Sequence, residues 1–385
     1  MEEKCIGMPK IVLLGGSNSV LKDGLKSGLS QNAELYNYAL GASTSLQNLH
    51  ELIKNSDVIN NADCIVTESN VNDFHSVWLA GFPIDITLKN IDRYYQMLAL
   101  ANTKVLVIIM PLISICDISN QINKQHIFNV EKYGFLYINL DCLINNNDLL
   151  SFYVRDIGHP NKYLMNLIGR NISENLKYLP DRTLNDIDEL NVVYEVVDVG
   201  DLSLDIETKG NSIFSRNVIT LNSIVKFKER YYGYDILGIE AWSDDYSKIQ
   251  INESYFKAYN NELQFHDVSS QKEIDENTQL SSDLSEQLPT EFSLNAYLIN
   301  SLYIMDSKPK KIVKSIKLSS ILLSKKVKEQ TLIKISTDDS FNCSFLVPDL
   351  KLLHSFYIES KEKKVRWKKR VKNFIRNKYI KILKN

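Results

Sequence analysis

The sequence predicts an α/β domain with a parallel sheet over residues 1–182, a β-rich, sandwich-like domain over 190–355 and a basic helical tail over 361–385. Three observations carry this prediction. Up to about Pro180, short apolar runs alternate with stretches of helical periodicity, the pattern of strands joined by crossover helices. After YLPDRTLND the composition turns to β-branched and aromatic residues in partial alternation. The last segment, Lys361 to Asn385, carries twelve Lys or Arg against one acid, so a tail of +11 rides on a body of −13 within a net charge of −2.

Each element follows in order. Strands are expected at Ile11–Leu14, Leu35–Leu40, Cys64–Thr67, Val105–Met110 and Phe135–Ile138. Helices fall between them: Leu21, Leu25 and Leu29 keep a spacing of four, Ile91, Tyr94, Tyr95 and Leu98 form one stripe, and Tyr163, Leu164, Leu167, Ile168 and Ile172 form another. Strands separated by helices pair in parallel, and their ligands collect at the C-terminal strand ends. In the second region VVYEVVDV, NVITLNSIVKFK, YYGYDILGIEAW, FSLNAYLI, TLIKIS and CSFLV read as strands. The polar run His266–Glu291 has few apolar residues and reads as a long exposed loop. From Val365 onward Trp367, Val371, Phe374, Ile375, Tyr379 and Ile382 share one side of a helix whose other side is basic, the form of a helix lying in an anionic membrane surface. The acidic body disfavours nucleic acid as a partner.

Composition excludes several classes. The chain of 385 residues exceeds what one core usually serves. No apolar run is long enough to span a membrane, and the charged opening MEEKCIGMPK is unlike a signal peptide, so an intracellular protein is expected. Five cysteines, odd in number and widely spaced, form no metal-ligand or redox pair, and neither a metal nor a bound cofactor is expected.

The chemistry concentrates in four short motifs. In GGSNS, Ser17 follows a strand and two glycines that permit a tight turn. It can be a helix N-cap or a nucleophile. The stretch is neither a phosphate-binding loop nor the GxSxG elbow. A nucleophile needs an oriented base, and RDIGHPNKY supplies His159 with Asp156 three residues before it, although an aspartate there can equally cap a helix. LGAS ends the second strand with Gly41, and NVND follows the third with Asn72. Backbone N–H groups at Ser17 and Gly41 and the Asn72 amide would make an oxyanion hole; NVND can also be a plain turn. His75 and Trp78 are candidates to line the pocket, His75 being otherwise an exposed loop residue.

These four motifs, in this order and at these strand ends, resemble the SGNH hydrolases, the GDSL esterases and acetyltransferases, over about residues 8–180. The resemblance implies Ser17 as nucleophile, Ser17, Gly41 and Asn72 as oxyanion donors, and His159 with Asp156 as the base and its orienter. Two positions depart from the family pattern: Gly16 stands where the family has aspartate, and Asn70 where it has glycine. Acyl-ester chemistry through an acyl-serine is what the resemblance implies. With an intracellular setting, a β-rich module and a basic tail, the expected function is O-acetylation of a bacterial capsule-like or lipopolysaccharide glycan. Acetyl-CoA would be co-substrate, at the inner face of the cytoplasmic membrane. The alternatives are an O-acetylesterase on the same polymers and a non-catalytic glycan-binding module.

Overall fold

A computed structural model describes residues 7–112, 116–147, 149–153, 159–181, 191–202, 205–243, 247–258, 262–282, 284, 315–327, 340–356 and 358–359. The first part of the chain runs β1 (Lys10–Gly15), α1 (Ser17–Val20), α2 (Leu25–Leu29), β2 (Glu34–Asn37), α3 (Ser45–Lys54), α4 (Ser56–Asn60), β3 (Cys64–Glu68), α5 (Asn70–Trp78), α6 (Ile84–Leu100), β4 (Lys104–Ile109), α7 (Asp117–Lys132), β5 (Leu136–Asn139), α8 (Leu140–Asn145), α9 (Leu150–Tyr153) and α10 (Lys162–Asn175). All five predicted strands form, each within two residues of its expected start. The expected strand end at Leu40 lies beyond β2, yet Tyr38 and Leu40 still donate to the Leu13 and Gly15 carbonyls. The Leu21–Leu29 stripe is broken, with α1 ending at Val20 and α2 starting at Leu25. In the α10 stripe Leu164, Ile168 and Ile172 are buried, while Tyr163 is 65% exposed.

The first sheet has the order β2-β1-β3-β4-β5, every pair parallel, and helices lie on both sides. Ile11–Leu14 and Ile65–Val66 are fully buried, as central strands covered on both faces must be. Each such side chain contributes roughly 1.5–3 kcal/mol. A sixth strand, β16 (Phe341–Asn342), pairs in parallel with β5 and comes from the far end of the chain. The stretch CSFLV is therefore no strand: Ser344–Leu346 is a 3-10 turn, and Leu346 and Leu350 pack into the first core. Residues 350–356 are helical.

Between these segments the chain is β-rich: β6 (Val192–Asp198), β7 (Glu207–Gly210), β8 (Ser215–Thr220), β9 (Val225–Lys226), β10 (Asp235–Ser243), β11 (Ser247–Ile251), β12 (Ser254–Ala258), β13 (Glu262–Glu273), β14 (Gln279–Ser282) and β15 (Lys317–Lys326). One antiparallel sheet runs β13-β10-β15-β8-β7, with β6 also paired to β15; the other runs β12-β11-β14-β9. Ile239, Ala241 and Ile321 of the first meet Ile249, Ile251 and Leu280 of the second in one core, so the region is sandwich-like. The predicted strands FSLNAYLI and TLIKIS and the tail 361–385 lie outside the described residues. The loop expected from His266 is corrected: residues 262–273 form β13, which pairs with β10. Its polar residues misled because most of them are half-buried in the sheet, and His266 is buried outright at 1% exposure.

The larger antiparallel sheet has two covered faces. Leu237, Trp242 and Leu322 on its second face join the core of the α/β unit. There it lies against α3, whose residues Ser45–Leu52 are all buried. The polar side of α3 is met by charge: Arg216 reaches Glu51 at 2.7 Å and Glu240 at 3.0 Å, Lys54 reaches Glu240 at 3.2 Å, and His50 Nε2 lies 2.8 Å from Ser320 Oγ. Burial would raise the Glu240 carboxyl, but Lys54, His50 and Arg216 together hold it well below its ordinary range. His50, Glu51 and Glu240 are close enough to share an ion. Their carboxylates are already committed to Arg216 and Lys54.

Candidate active site

The first sheet reverses its strand order between β1 and β3, because the chain goes from β1 to one side for β2 and to the other for β3. Ligands of open parallel sheets gather outside the strand C-termini at such a point. Ser17 follows β1 there, and Asn72 follows β3.

Ser17 is the first residue of α1, Gly16 is the N-cap, and no side chain caps this helix. The serine is thus not used as a cap. Its Oγ lies 3.1 Å from Nε2 of His159, the distance a nucleophile keeps from its base. As first residue of a helix, Ser17 has an N–H without an intrahelical acceptor. Asn161 caps α10 by accepting from Tyr163 and Leu164, which fixes the chain two residues after His159. Asp156 lies outside the described residues.

The oxyanion side is built by close approach. A Cβ on Gly16 would sit 1.9 Å from Asn72 Nδ2, so the glycine at this position makes room for the amide. Asn72 Nδ2 donates one hydrogen to the Ser43 carbonyl at 2.8 Å, and its second N–H remains for a ligand. Leu40 N–H donates to the Gly15 carbonyl at 3.0 Å, which ties the residue before Gly41 to the end of β1. A Cβ on Gly41 would meet nothing within 4 Å, so that side is open. Ser17, Gly41, Asn72 and His159 therefore stand at one sheet edge.

Behind them lies a set of buried polar groups of which sequence reasoning singled out only Asn70, without its bonds. Glu68 Oε1 accepts from Gly16 N–H at 2.9 Å and from Ser19 Oγ at 2.8 Å, holding the turn around Ser17 from both sides. Burial pushes its carboxyl up to about 7 against its hydrogen bonds from Ser19 and Gly16, and among the described residues Oε2 has no hydrogen-bond partner. Asn70 clamps the Met110 backbone, donating to its carbonyl at 2.8 Å and accepting from its N–H at 3.0 Å, a tie that a glycine could not make. Asp73 accepts from Ser45 N–H at 2.9 Å and Ser45 Oγ at 2.7 Å and meets His126 Nε2 at 3.1 Å. The signal for Glu68 was present in CIVTESNVND, an acid that closes a strand begun by three apolar residues.

NVND is no turn: residues Asn70–Trp78 form α5. His75 is accordingly not an exposed loop residue but is buried on that helix. Burial, then the charge of His159, pulls it down to about 4, so it faces the base as a neutral imidazole. Trp78 is 44% exposed and stacks on Phe74 at 5.3 Å.

No family model and no curated protein matches this chain. Among solved structures it is similar to the acetyl xylan esterase AlAXEase, at 19% identity over 44% of this chain and 98% of that one, with a TM-score of 0.35. It is similar to Axe2, an acetylxylan esterase from Geobacillus stearothermophilus, at 12% identity over 46% and 97% with a TM-score of 0.36. A GDSL-like lipase from Bacteroides thetaiotaomicron is similar at 14% identity over 46% and 90% with a TM-score of 0.32.

Proposed function

We propose that this protein is a serine-dependent acyl-ester enzyme acting on carbohydrate, and that it transfers acetyl from acetyl-CoA to a hydroxyl of a capsule-like or lipopolysaccharide glycan. The observation that carries the reading is the 3.1 Å approach of Ser17 Oγ to His159 Nε2 beside the anchored Asn72 amide. Ser17 Oγ attacks the acyl carbonyl while His159 takes its proton, and the oxyanion forms against the Ser17 N–H, the Gly41 N–H and the free Asn72 N–H. His159 then returns the proton to the leaving thiolate, leaving acetyl-serine. A glycan hydroxyl, deprotonated by His159, attacks that ester and releases Ser17. Asp156 is the proposed orienter of the imidazole. Trp78, exposed beside His75, offers an apolar face for a sugar ring.

The basic tail 361–385 is proposed to hold the enzyme at the anionic inner face of the cytoplasmic membrane. Among the described residues no helix is long and apolar enough to cross a membrane. The second reading is an O-acetylesterase on the same polymers, in which water takes the place of the glycan hydroxyl; a Cβ on Gly41 would meet nothing within 4 Å, so there is space for a water there.

The test is to incubate purified protein with p-nitrophenyl acetate or labelled acetyl-CoA, with and without candidate glycans, and to follow the label. Label on glycan supports transfer, and release of free acetate alone supports the esterase. Turnover of neither would leave a glycan-binding module.

A further inference from the structure

Among the described residues the β-rich region is hydrogen-bonded to the stretch before α3 through Asp267. Asp267, on β13, places its two carboxylate oxygens 2.9 and 2.8 Å from Thr44 Oγ1. Thr44 is the N-cap of α3, its Oγ1 accepting from Leu46 N–H at 3.3 Å. Both of its neighbours are bonded to α5: the Ser43 carbonyl accepts from Asn72 Nδ2, and Ser45 N–H and Oγ donate to Asp73. Asp267, Thr44, Ser43 and Asn72 therefore form one connected bridge from the antiparallel sheet to the amide expected to bind the oxyanion. The contact also differs in kind from the ion pairs at Glu51 and Lys54, which lie at the other end of α3 and touch nothing at the site.

We propose that Asp267 is a positioning residue for the reaction: by holding Thr44 it fixes the Ser43 carbonyl that aims the Asn72 amide, so the β-rich region completes the oxyanion hole. The inference rests on the acyl-serine reading above. An amide displaced by a fraction of an ångström loses much of its bond to a developing oxyanion while leaving ground-state binding nearly unchanged. The effect therefore belongs in kcat.

The test uses the full chain with p-nitrophenyl acetate. Asp267→Ala is expected to lower kcat by about tenfold with KM within about twofold, a fraction of the loss typical for deleting an oxyanion donor. Asp267→Asn, which keeps an acceptor for the Thr44 hydroxyl, is expected to retain most of the activity. In an Asn72→Ala background, Asp267→Ala should cost less than about twofold more, since the amide it aims is gone. Thr44→Val breaks the same bond from the other side and should show the same non-additivity, which keeps the test decisive if Asp267→Ala does not fold. Equal losses with and without Asn72, a loss in KM alone, or no loss would overturn the inference while wild-type turnover upheld the reading beneath it. An inert wild-type protein would overturn both.

Discussion

At the scale of the residue, the site depends on which side chains are spent and which are left free. Ser17 spends nothing on capping and meets His159 at 3.1 Å. Ser17→Ala is accordingly expected to abolish turnover with the melting temperature unchanged, and full activity in that variant would refute the acyl-serine. Asn72→Ala should lose roughly 10²- to 10³-fold in kcat, as deletion of one oxyanion donor typically does. Glu68 yields a pH prediction. Burial raises its carboxyl to about 7 in the folded chain, so its contribution to stability is full below the ordinary carboxylate range and is lost as pH rises through 7. Glu68→Gln keeps an acceptor for Gly16 and Ser19 and does not titrate. Denaturant unfolding at pH 5 and pH 8 should show the wild type losing on the order of 2 kcal/mol more than this variant. Identical pH dependence would remove Glu68 from the account. The meeting of Ser17 with His159 was foreshadowed in the sequence by short motifs, GGSNS at the end of β1 and DIGHP just before α10. Asp267 was not, because Thr44 and Asp267 meet only through tertiary packing.

At the scale of the element, the helices that follow Ser17 and His159, α2 and α10, cross at close range. A Cβ on Gly28 of α2 would lie 2.1 Å from the Asn166 carbonyl oxygen, and one on Gly169 of α10 would lie 2.4 Å from that of Leu25. The helices cross backbone to backbone, and α10 begins three residues after His159. Gly169→Ala is expected to destabilise by about 1–3 kcal/mol through overpacking and to lower activity as His159 shifts from Ser17. A thermal melt and a p-nitrophenyl acetate assay check both, and a melting temperature at or above wild type would contradict the crossing. Helical periodicity revealed α6 and α10 but gave no sign of this contact, since a glycine adds nothing to an apolar stripe. The polar residues of α3 carry no apolar pattern either, yet Gln47, His50 and Glu51 are buried, with His50 against Ser320 and Glu51 against Arg216 of the antiparallel sheet.

At the scale of the whole molecule, the chain returns to where it began. Strand β16 extends the first sheet from position 341, and Leu346 and Leu350 pack into its core. Composition changes along the chain predicted a boundary near 182, but a two-residue strand carries too little pattern to announce that the first sheet is completed from beyond the β-rich region. A fragment ending at 182 would lack β16, leave His50 and Glu51 uncovered and have no Asp267. It is expected to be poorly soluble beside the full chain, as compared by fractionation after expression, and a soluble fragment with full esterase activity would contradict this architecture. The most direct measurement of the central claim is peptide mapping by mass spectrometry after treating the full protein with a serine-directed fluorophosphonate. The account predicts one adduct, on Ser17, absent from Ser17→Ala and formed far more slowly in His159→Ala. No adduct, or an adduct on another serine with Ser17 unmodified, would contradict it.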